Sequence, residues 1–542
     1  MSIKYLYDRK RIAVTYGEQK ISYADVIKYV NYYSEFLDIT KGDRSALMME
    51  NRPESIFSFF SIWAKKGIAI SLDAGYTVDQ LAYVLGDSTP KYLFVSNKTK
   101  KVAEEANSKL NNIIKIINVD ELVLPAEYKI KKEEFENDSN DDVAVIVYTS
   151  GTTGNPKGVM ITYENIKTNM EGVRAVDLVN ETDVILAMLP YHHIMPLCFT
   201  LILPMYMGVP IVLLTEISSS SLLKTLQENR VTVILGVPRV WEMLDKAIMI
   251  KINESSLAKF MFKMAEKINS MAIRKMLFSK VHKQFGGHIR LMVSGGAKID
   301  KNILEDFRTM GFCAIQGYGM TETAPIIAFN VPGREKSDSA GEVIPNVEVK
   351  IADDGEILVK GKNVMKGYYN NEKATEDAFD KDGWFHTGDL GRMDGKYLII
   401  IGRKKEMIVL PNGKNIDPND IENEIIKNTD LIKEIAVTEY KEQLLAIIYP
   451  DFQQIEAKKI VNIKDAIKWE VIDKYNVTAP NYKKIHDIKI VKKELPKTRI
   501  GKIRRFMLKD LIEDKDDVIE QKEEKKAIVV PPEMKEKFDI IN

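Results

Sequence analysis

Apolar and polar positions alternate along the first 235 residues in a way that predicts helices separated by short strands. Apolar residues recur at helical spacing over residues 23–37 and 55–66. Short continuous apolar runs occupy residues 92–95, 143–148 and 210–214. Helical segments that alternate with short buried strands are typical of α/β layers. The front of the chain is therefore predicted to be an α/β domain.

The most apolar region, residues 184–214, is predicted to be buried core. Four prolines and two histidines interrupt it. It therefore cannot form an unbroken membrane span, which needs about 20 apolar residues. The first ten residues contain no apolar run that could serve as a signal peptide.

A Met-rich helical segment, residues 241–285, comes next, and we expect its Met, Phe and Ile side chains to pack in the core. Two strand-then-glycine corners follow it. Residues 289–293 lead into Ser-Gly-Gly-Ala at 294–297, and residues 314–315 lead into Gly-Tyr-Gly at 317–319. Corners of this kind form ligand-binding crevices.

The back of the chain changes character and completes the predicted fold class, which is α/β and α+β. Strand-like segments at 347–351, 356–359 and 397–401 indicate a β-rich subdomain, and residues 407–511 show a shorter α+β pattern. We predict a large N-terminal domain of α/β layers with that β-rich subdomain over residues 1–403. A small mobile α+β domain over 404–512 and a charged tail over 513–542 follow.

Composition narrows the class of protein. The chain has 542 residues, 45% of them hydrophobic and 29% charged, which is typical of a soluble protein with several domains. Lys+Arg and Asp+Glu are both 78, so the net charge gives no reason to expect nucleic acid as a partner. Cys198 and Cys313 lie far apart in apolar surroundings, which favours buried thiols in a reducing compartment, the cytoplasm.

The strongest chemical signal is the loop Tyr-Thr-Ser-Gly-Thr-Thr-Gly-Asn-Pro-Lys-Gly at residues 148–158. Its glycines allow the backbone to approach an anion, its hydroxyls add donors, and Lys157 adds a positive charge. The loop is not a Walker loop, because Pro156 stands where that motif has its second glycine. It is predicted to bind a polyphosphate.

Four further blocks follow this loop in order. They are Tyr-Gly-Met-Thr-Glu at 318–322, Gly-Trp-Phe-His-Thr-Gly-Asp at 383–389, Gly-Arg at 402–403 and Pro-Lys-Thr-Arg-Ile-Gly-Lys-Ile-Arg at 496–504. In this set and order the chain resembles the adenylate-forming superfamily of acyl-CoA synthetases, adenylation domains and luciferases, over residues 21–511. Residues 189–193 and 402–409 look most like bacterial long-chain fatty acyl-CoA synthetases.

The resemblance implies ATP-dependent activation of a medium- to long-chain fatty acid through acyl-AMP, followed by transfer to CoA. Such a site must neutralise two anions as it brings them together. By resemblance, Glu322 coordinates Mg²⁺ and Thr321 donates to the α-phosphate. The other residues implied to bind the nucleotide are Thr149, Ser150, Gly151, Thr152, Thr153, Gly154 and Lys157 for the phosphates, Gly295, Gly296, Ala297 and Tyr318 for adenine, and Asp389 and Arg403 for the ribose.

The C-terminal part supplies the second set of implied roles. Residues 481–510 contain eleven Lys/Arg and three Asp/Glu, mostly a solvated basic face. Within it, Lys502 is implied to bridge the acyl carboxylate and the α-phosphate. The family rotates its small domain between the two half-reactions, which makes Lys405 the candidate hinge and Gly413 the residue that lines a pantetheine tunnel. An exposed lysine in a basic turn is the alternative for Lys405.

The substrate is less narrowly defined. His193 stands where amino-acid-activating relatives carry an aspartate, which disfavours an α-amino acid, and we expect His193 to gate or orient the acyl group. It is not expected to pair with His192 as a metal ligand, because no further ligand has suitable spacing. The apolar segments 194–203 and 234–241 are consistent either with an alkyl-chain pocket or with core.

Several alternatives stay open. A fatty acyl-AMP ligase or an acyl-carrier-protein synthetase uses the same first step, and a luciferase-like oxygenase shares the motifs. A non-catalytic scaffold is disfavoured because Lys157, Glu322, Asp389, Arg403 and Lys502 are all present. Residues 85–88 faintly resemble a carrier attachment site. The expected partners are fatty acid, ATP and CoA. A peripheral contact of the basic 481–510 face with the inner membrane surface, and a homodimer, are further hypotheses.

Overall fold

The chain divides into two compact units. A computed structural model describes residues 2–3, 10–130, 135–136, 139–149, 156–216, 218–409, 415–497 and 503–513. The larger unit comprises Met1–Thr387 and Gly391–Ile400, and the smaller comprises Gly388–Leu390 and Ile401–Asn542. The sequence places the boundary after residue 403 instead, and its three-part division of the chain stays a prediction. Of the predicted tail, all but Glu513 lies outside the described residues.

A seven-stranded sheet forms one layer of the larger unit. Its order is Gly367–Tyr368, Lys157–Thr162, Val143–Thr149, Ile68–Leu72, Arg44–Met48, Tyr92–Val95 and Lys115–Asn118. The last five strands run parallel, and the first two join antiparallel. Helices Pro53–Ala64, Val78–Ser88 and Lys100–Ser108 lie between its strands in the chain. Ser88, in the segment that faintly resembles a carrier site, is buried and donates to the carbonyl of Val84, so it offers no attachment point.

A second, thirteen-stranded sheet combines a parallel and an antiparallel part. Its order is Val347–Ile351, Glu356–Gly361, Phe385–Asp394, Tyr397–Arg403, Gly341–Val343, Ala328–Phe329, Cys313–Tyr318, Leu291–Ser294, Val233–Gly236, Ile185–Ala187, Ile211–Leu213, Ile12–Tyr16 and Gln19–Ser22. The six strands from Cys313–Tyr318 to Ile12–Tyr16 run parallel. The predicted β-rich subdomain is the antiparallel end of this sheet.

The remaining elements of the larger unit are mostly helices. They are Tyr23–Ser34, Val119–Glu121, Tyr163–Arg174, the continuous helical run Ile194–Pro196, Leu197–Ile202 and Leu203–Met207, then Ser219–Asn229, Pro238–Glu254, Ser256–Glu266, Met271–Leu277, Ser279–Gln284, Lys301–Thr309, Thr321–Thr323 and Glu372–Glu376. Strands Ser2–Ile3 and Phe135–Glu136 form a separate pair.

The prediction that residues 184–214 are core is confirmed. The run Ile194–Met207 lies between two parallel strands, and Leu197, Leu201 and Ile202 are completely buried. Cys198 in the same run is also buried, and burial raises the pKa of its thiol. Among the described residues, no helix has both the length and the apolar character needed to cross a bilayer.

The prediction that the Met-rich segment packs in the core is wrong for eight of its nineteen Met, Phe, Ile, Leu and Trp side chains. The segment is helical as expected, and Trp241, Phe262, Phe278 and Phe285 are buried. Eight others are exposed: Met243, Ile250, Leu257, Phe260, Met264, Met271, Ile273 and Met276. Helical periodicity identifies an apolar face, but it does not say whether a partner element covers the whole of that face.

The smaller unit is a compact α+β domain. Strands Ile432–Tyr440, Gln443–Pro450 and Ile485–Ile490 form its sheet, with the first pair antiparallel and the second parallel. The other elements are the strand pair Ile408–Val409 and Asn415–Ile416, and the helices Pro418–Lys427, Phe452–Ala457, Ile463–Ile467, Lys468–Ile472, Asp473–Thr478, Asn481–Lys483, Arg505–Met507 and Leu508–Glu513. A large α/β unit with mixed sheets followed by a small α+β unit confirms the predicted fold class.

Candidate active site

The carboxyl ends of the two sheets meet inside the larger unit. Asn51, which follows strand Arg44–Met48, donates to the carbonyl of Leu189 at 2.7 Å and accepts from the amide of Tyr191 at 3.2 Å. Asp73, which follows strand Ile68–Leu72, lies 3.9 Å from Nε2 of His192. Ligands of open α/β sheets bind beyond the carboxyl ends of the strands. We therefore locate the candidate site at this junction.

A lysine and a glutamate lie on either side of one tyrosine at the edge of the seven-stranded sheet. Nζ of Lys157 is 5.1 Å from the ring centroid of Tyr368, and the hydroxyl of Tyr368 donates to Oε1 of Glu322 at 2.9 Å. Lys157 pairs with Thr149 across the ends of two strands. The structure thus brings together Thr149, Lys157 and Glu322. The predicted phosphate-binding residues Ser150, Gly151, Thr152, Thr153 and Gly154 lie outside the described residues.

Buried hydrogen bonds fix the loop that carries Thr321 and Glu322. The amide of Met365 donates to the carbonyl of Glu322 at 2.8 Å. Asn169, which is 1% exposed, donates to the carbonyl of Thr323 at 3.0 Å and accepts from the amide of Ile326 at 2.7 Å. Because an unpaired buried polar group is costly, these bonds select one conformation of the loop. Asn169 therefore helps to position Glu322 by fixing the residues that follow it in the chain.

Sequence reasoning missed Tyr368 and Asn169. Asn169 and its neighbour Asn165, one helical turn apart in Tyr163–Arg174, are both buried. Asn165 donates to the carbonyls of Lys362 and Val364. Two amides at i and i+4 on an otherwise apolar helix face are a readable signal of buried polar contacts. Tyr368 carries no comparable signal, because Glu322 and Lys157, which its side chain contacts, are both more than 40 residues away in the chain.

The glycine corner at residues 295–297 lies against the start of the helix that follows the two histidines. A Cβ at Gly295 would stand 2.5 Å from Sδ of Met195. One at Gly296, whose φ is +82°, would have Val237 at 3.8 Å as its nearest side chain. Gly296 and Ala297 are exposed, as a surface that receives a flat ligand must be. Tyr318, predicted to stack on adenine, ends strand Cys313–Tyr318 and is half-buried.

His193 is half-buried and stacks obliquely on His192, with ring centroids 4.1 Å apart. Burial lowers the pKa of His193, and the nearby charge of Asp73 opposes this shift. The imidazole is therefore neutral at pH 7. Its role in orienting the acyl group stays a prediction. Ile194 and Leu197 are buried in the core, which favours the structural explanation for much of the apolar segment 194–203.

Asp389 and Arg403 form an ion pair within the smaller unit. Nε of Arg403 is 2.8 Å from Oδ1 of Asp389, which is 5% exposed. The amide of Lys404 donates to the carbonyl of Gly388 at 2.9 Å, which keeps the two segments adjacent. Lys405 is exposed in the turn that follows. Their assignments to the ribose and to the hinge stay predictions.

The aromatic and polar residues that precede Asp389 have structural roles. Nζ of Lys350 lies 4.9 Å from the ring centroid of Trp384. Nδ1 of His386 is 3.1 Å from Glu356, and the hydroxyl of Thr387 donates to the carbonyl of Ile357 at 2.7 Å. These contacts fix the strand that leads to Asp389.

Lys502 and Gly413 lie outside the described residues, but the chain just after Lys502 is firmly anchored. Arg505 makes two hydrogen bonds of 2.8 Å to the buried carboxylate of Glu422 and one of 2.9 Å to Asn419. A two-point arginine–carboxylate pair holds a fixed geometry.

The sequence matches the AMP-binding enzyme family over residues 7–369 and the C-terminal domain of AMP-binding enzymes over residues 405–522. This chain belongs to the AMP-binding enzyme family. It is 28% identical to the long-chain-fatty-acid–CoA ligase FadD15 of Mycobacterium bovis over 466 residues, 79% of this chain and 76% of that protein. It is 30% identical to the 2-succinylbenzoate–CoA ligase of Bacillus subtilis over 435 residues, covering 77% and 80% of the two chains.

Solved structures agree with this membership. O-succinylbenzoate coenzyme A synthetase (MenE) from Bacillus subtilis, in complex with ATP and a magnesium ion, superposes on this AMP-binding enzyme with a TM-score of 0.73. The two are 27% identical, and the match covers 92% of this chain and 97% of that one. The relatives are named for different acids. Together they support an AMP-forming acid–CoA ligase without defining which acid it activates.

The carboxylate that this AMP-binding enzyme offers, Glu322, suits a magnesium ion that is bound together with a nucleotide. No group of three or more His, Cys, Asp or Glu residues suited to a metal occurs among the described residues. Mg²⁺ commonly takes one or two carboxylates and completes its shell with substrate phosphates and water. The half-buried carboxylate of Glu322, oriented by Tyr368, is suited to that mode.

Proposed function

We propose that this AMP-binding enzyme activates a medium- to long-chain fatty acid. The carboxylate attacks the α-phosphorus of ATP, giving acyl-AMP and pyrophosphate. The thiolate of CoA then attacks the acyl carbon and displaces AMP, giving the acyl-CoA thioester. The acid–CoA ligase reaction follows from the family, and the fatty acyl group is the part that is proposed.

The two apolar segments that border the adenine corner, 194–203 and 234–241, carry the choice of substrate. The side chains nearest to Gly295 and Gly296 are Met195 and Val237, neither of which can pair with a second carboxylate. The imidazole of His193 is neutral at pH 7, so it adds no positive charge. A dicarboxylic acid such as 2-succinylbenzoate would need a cation or several donors for its second acid group. An alkyl chain needs neither.

The nucleotide is assigned to the residues around Tyr368. Lys157 and Thr149 would neutralise and bind the phosphates, and Thr321 would donate to the α-phosphate. Glu322 would hold Mg²⁺, which supplies positive charge to the phosphate oxygens. Tyr318 and the 295–297 corner would receive adenine.

The smaller unit supplies the remaining roles in the proposal. Asp389 would accept hydrogen bonds from the ribose hydroxyls, with Arg403 beside it. Lys502 would bridge the acyl carboxylate and the α-phosphate as a point charge. Lys405 would be the hinge, and Gly413 would leave room for pantetheine.

A panel of straight-chain acids tests the substrate. Pyrophosphate release would be measured with acids of two to eighteen carbons and with 2-succinylbenzoate, at fixed ATP, magnesium and CoA. Each buried methylene contributes about 0.8 kcal/mol, or roughly fourfold, so kcat/KM should rise steeply up to the length of the pocket. A preference for 2-succinylbenzoate or for acetate would refute the fatty acyl assignment. Thioester yield with CoA, compared with a phosphopantetheinyl carrier protein, identifies the acceptor.

Lys502→Ala tests the chemistry separately from the substrate. Loss of one preorganised donor costs about 3 to 4 kcal/mol of transition-state stabilisation, so pyrophosphate release should fall by roughly 10²–10³. Supplied acyl-adenylate should still be converted to thioester at nearly the normal rate. Equal loss of both half-reactions would show that Lys502 does not act in adenylation.

A further inference from the structure

Two consecutive helices of the larger unit expose an unusual number of large apolar side chains. Among the described residues, nineteen large apolar side chains are exposed, and eight of them lie between residues 243 and 276. Six of those eight belong to the helices Ser256–Glu266 and Met271–Leu277, which we name the apolar–basic patch: Leu257, Phe260, Met264, Met271, Ile273 and Met276. Such a concentration in two consecutive helices marks a candidate interaction site.

The first helix of the patch separates its exposed apolar face from its core face. Leu257, Phe260 and Met264 occur at i, i+3 and i+7, which places them on one side of the helix. Phe262 and Ala265 are buried on another side. The helix therefore has a second apolar face, which no other part of the described chain buries.

Positive charge surrounds these apolar residues. Residues 256–285 contain seven Lys/Arg and one acidic residue, Glu266, an excess of six in a chain whose net charge is zero. Arg274 has a structural role, because its guanidinium donates to the carbonyls of Ala265 and Ile268. The other six are exposed lysines, and none of them takes part in an ion pair among the described residues: Lys259, Lys263, Lys267, Lys275, Lys280 and Lys283.

The other basic segment, residues 481–510, differs in this respect. Lys489 donates to the carbonyl of Ile512, Lys497 pairs with Glu434, and Arg505 pairs with Glu422. Part of its positive charge is therefore already neutralised within the smaller unit. The unpaired charge of the apolar–basic patch is better suited to an external anionic partner.

We propose that the apolar–basic patch binds the surface of an anionic phospholipid bilayer. Helices that lie in a membrane interface combine Trp, Phe or Leu on one face with Lys or Arg on the other. The lysines would face the lipid phosphates while Leu257, Phe260 and Met264 enter the boundary of the acyl chains. A second copy of the chain is a poorer occupant, because a twofold contact would bring six excess positive charges against six.

Binding of the full-length protein to vesicles tests the proposal without any substrate, so its outcome is independent of the proposed function. Sedimentation with vesicles of phosphatidylcholine alone, and with about a third phosphatidylglycerol, gives the two partition coefficients. We expect binding to the anionic vesicles only. The triple variant Lys259→Gln, Lys263→Gln, Lys267→Gln should bind about 100-fold more weakly, since each lysine near such a surface contributes about fivefold.

The double variant Leu257→Gln, Phe260→Gln keeps all the lysines and removes two apolar anchors. It should bind more than tenfold more weakly. Both sets of positions are exposed, so circular dichroism and the melting temperature should be unchanged.

The matched control is Lys484→Gln, Lys492→Gln, Lys509→Gln, which removes three charges from the 481–510 segment and should bind vesicles like the unmodified protein. An equal loss of binding in this control, or full binding by either patch variant, would overturn the assignment. So would a dimer that dissociates on patch substitution while vesicle binding is absent, because the patch would then be an interface between copies.

Discussion

Replacing Tyr368 by phenylalanine removes one hydroxyl group and leaves the aromatic ring in place. The hydroxyl donates to Oε1 of Glu322 at 2.9 Å, while Nζ of Lys157 lies 5.1 Å from the centre of the ring. Tyr368→Phe therefore separates the orientation of the carboxylate from the contact with the lysine. If Glu322 holds Mg²⁺, a less well oriented carboxylate should bind the ion more weakly.

The size of this effect follows from the geometry. A hydrogen bond to a charged group contributes about 1.5 to 3 kcal/mol. Tyr368 and Glu322 are both half-buried, so water can partly replace the lost hydroxyl, and we take the lower end of that range. With about 1.4 kcal/mol for each factor of ten, the magnesium concentration needed for half-maximal activity should rise roughly tenfold.

The assay is the initial rate of pyrophosphate release as a function of free Mg²⁺, at saturating ATP and acid. Tyr369→Phe is the matched control, because Tyr369 is the adjacent residue and its ring lies 5.6 Å from the guanidinium of Arg44. It should leave the magnesium dependence unchanged. A Tyr368→Phe enzyme with the magnesium dependence of the unmodified protein would show that the hydroxyl does not position a metal ligand.

Three further predictions concern groups that support the two units. Asn169→Leu leaves the amide of Ile326 and the carbonyl of Thr323 without their partner. The free energy of unfolding of the larger unit, measured in urea, should fall by about 2 to 4 kcal/mol. An equal fall in the exposed control Asn253→Leu would contradict this. Arg505→Met leaves the buried carboxylate of Glu422 without its cationic partner, which should destabilise the smaller unit by about 3 to 5 kcal/mol. The exposed control Arg504→Met should have little effect. Equal unfolding midpoints for the two variants would refute the ion-pair argument. His282 is buried with Nε2 bonded to the carbonyl of Met310 and Nδ1 unpartnered, and burial lowers its pKa. The unfolded chain therefore binds a proton first as pH falls below about 6.5, and stability should drop by at most about 1.4 kcal/mol per pH unit for this residue. His282→Gln should flatten that slope, and an unchanged slope would exclude His282 as its source.

Local patterns were sufficient to predict several of the strands. The apolar run at residues 92–95 is the strand Tyr92–Val95, and the strand-like segment 347–351 is the strand Val347–Ile351. Glycine corners were also predictable, because a tight approach of backbones demands residues without a side chain. A Cβ at Gly319, for example, would lie 1.9 Å from the carbonyl oxygen of Pro325.

The contacts that position Glu322 could not be predicted in the same way. Asn169 and Tyr368 come from segments 153 and 46 residues away from it in the chain, and neither belongs to a recognisable motif. Their roles depend on how the helix Tyr163–Arg174 and the strand Gly367–Tyr368 pack around one loop. Short-range periodicity contains no information on that packing.

The amino-acid sequence by itself determined the order of strands and helices, the glycine corners and the residue types of the chemistry, because all of these depend on neighbours in the chain. Only the tertiary structure decided which side chains meet and which surfaces stay uncovered. Leu257 and Phe262 are both apolar residues of one helix, yet Phe262 is buried and Leu257 is 68% exposed. Burial depends on whether another part of the chain covers a given face, and that is a property of the folded molecule rather than of any segment.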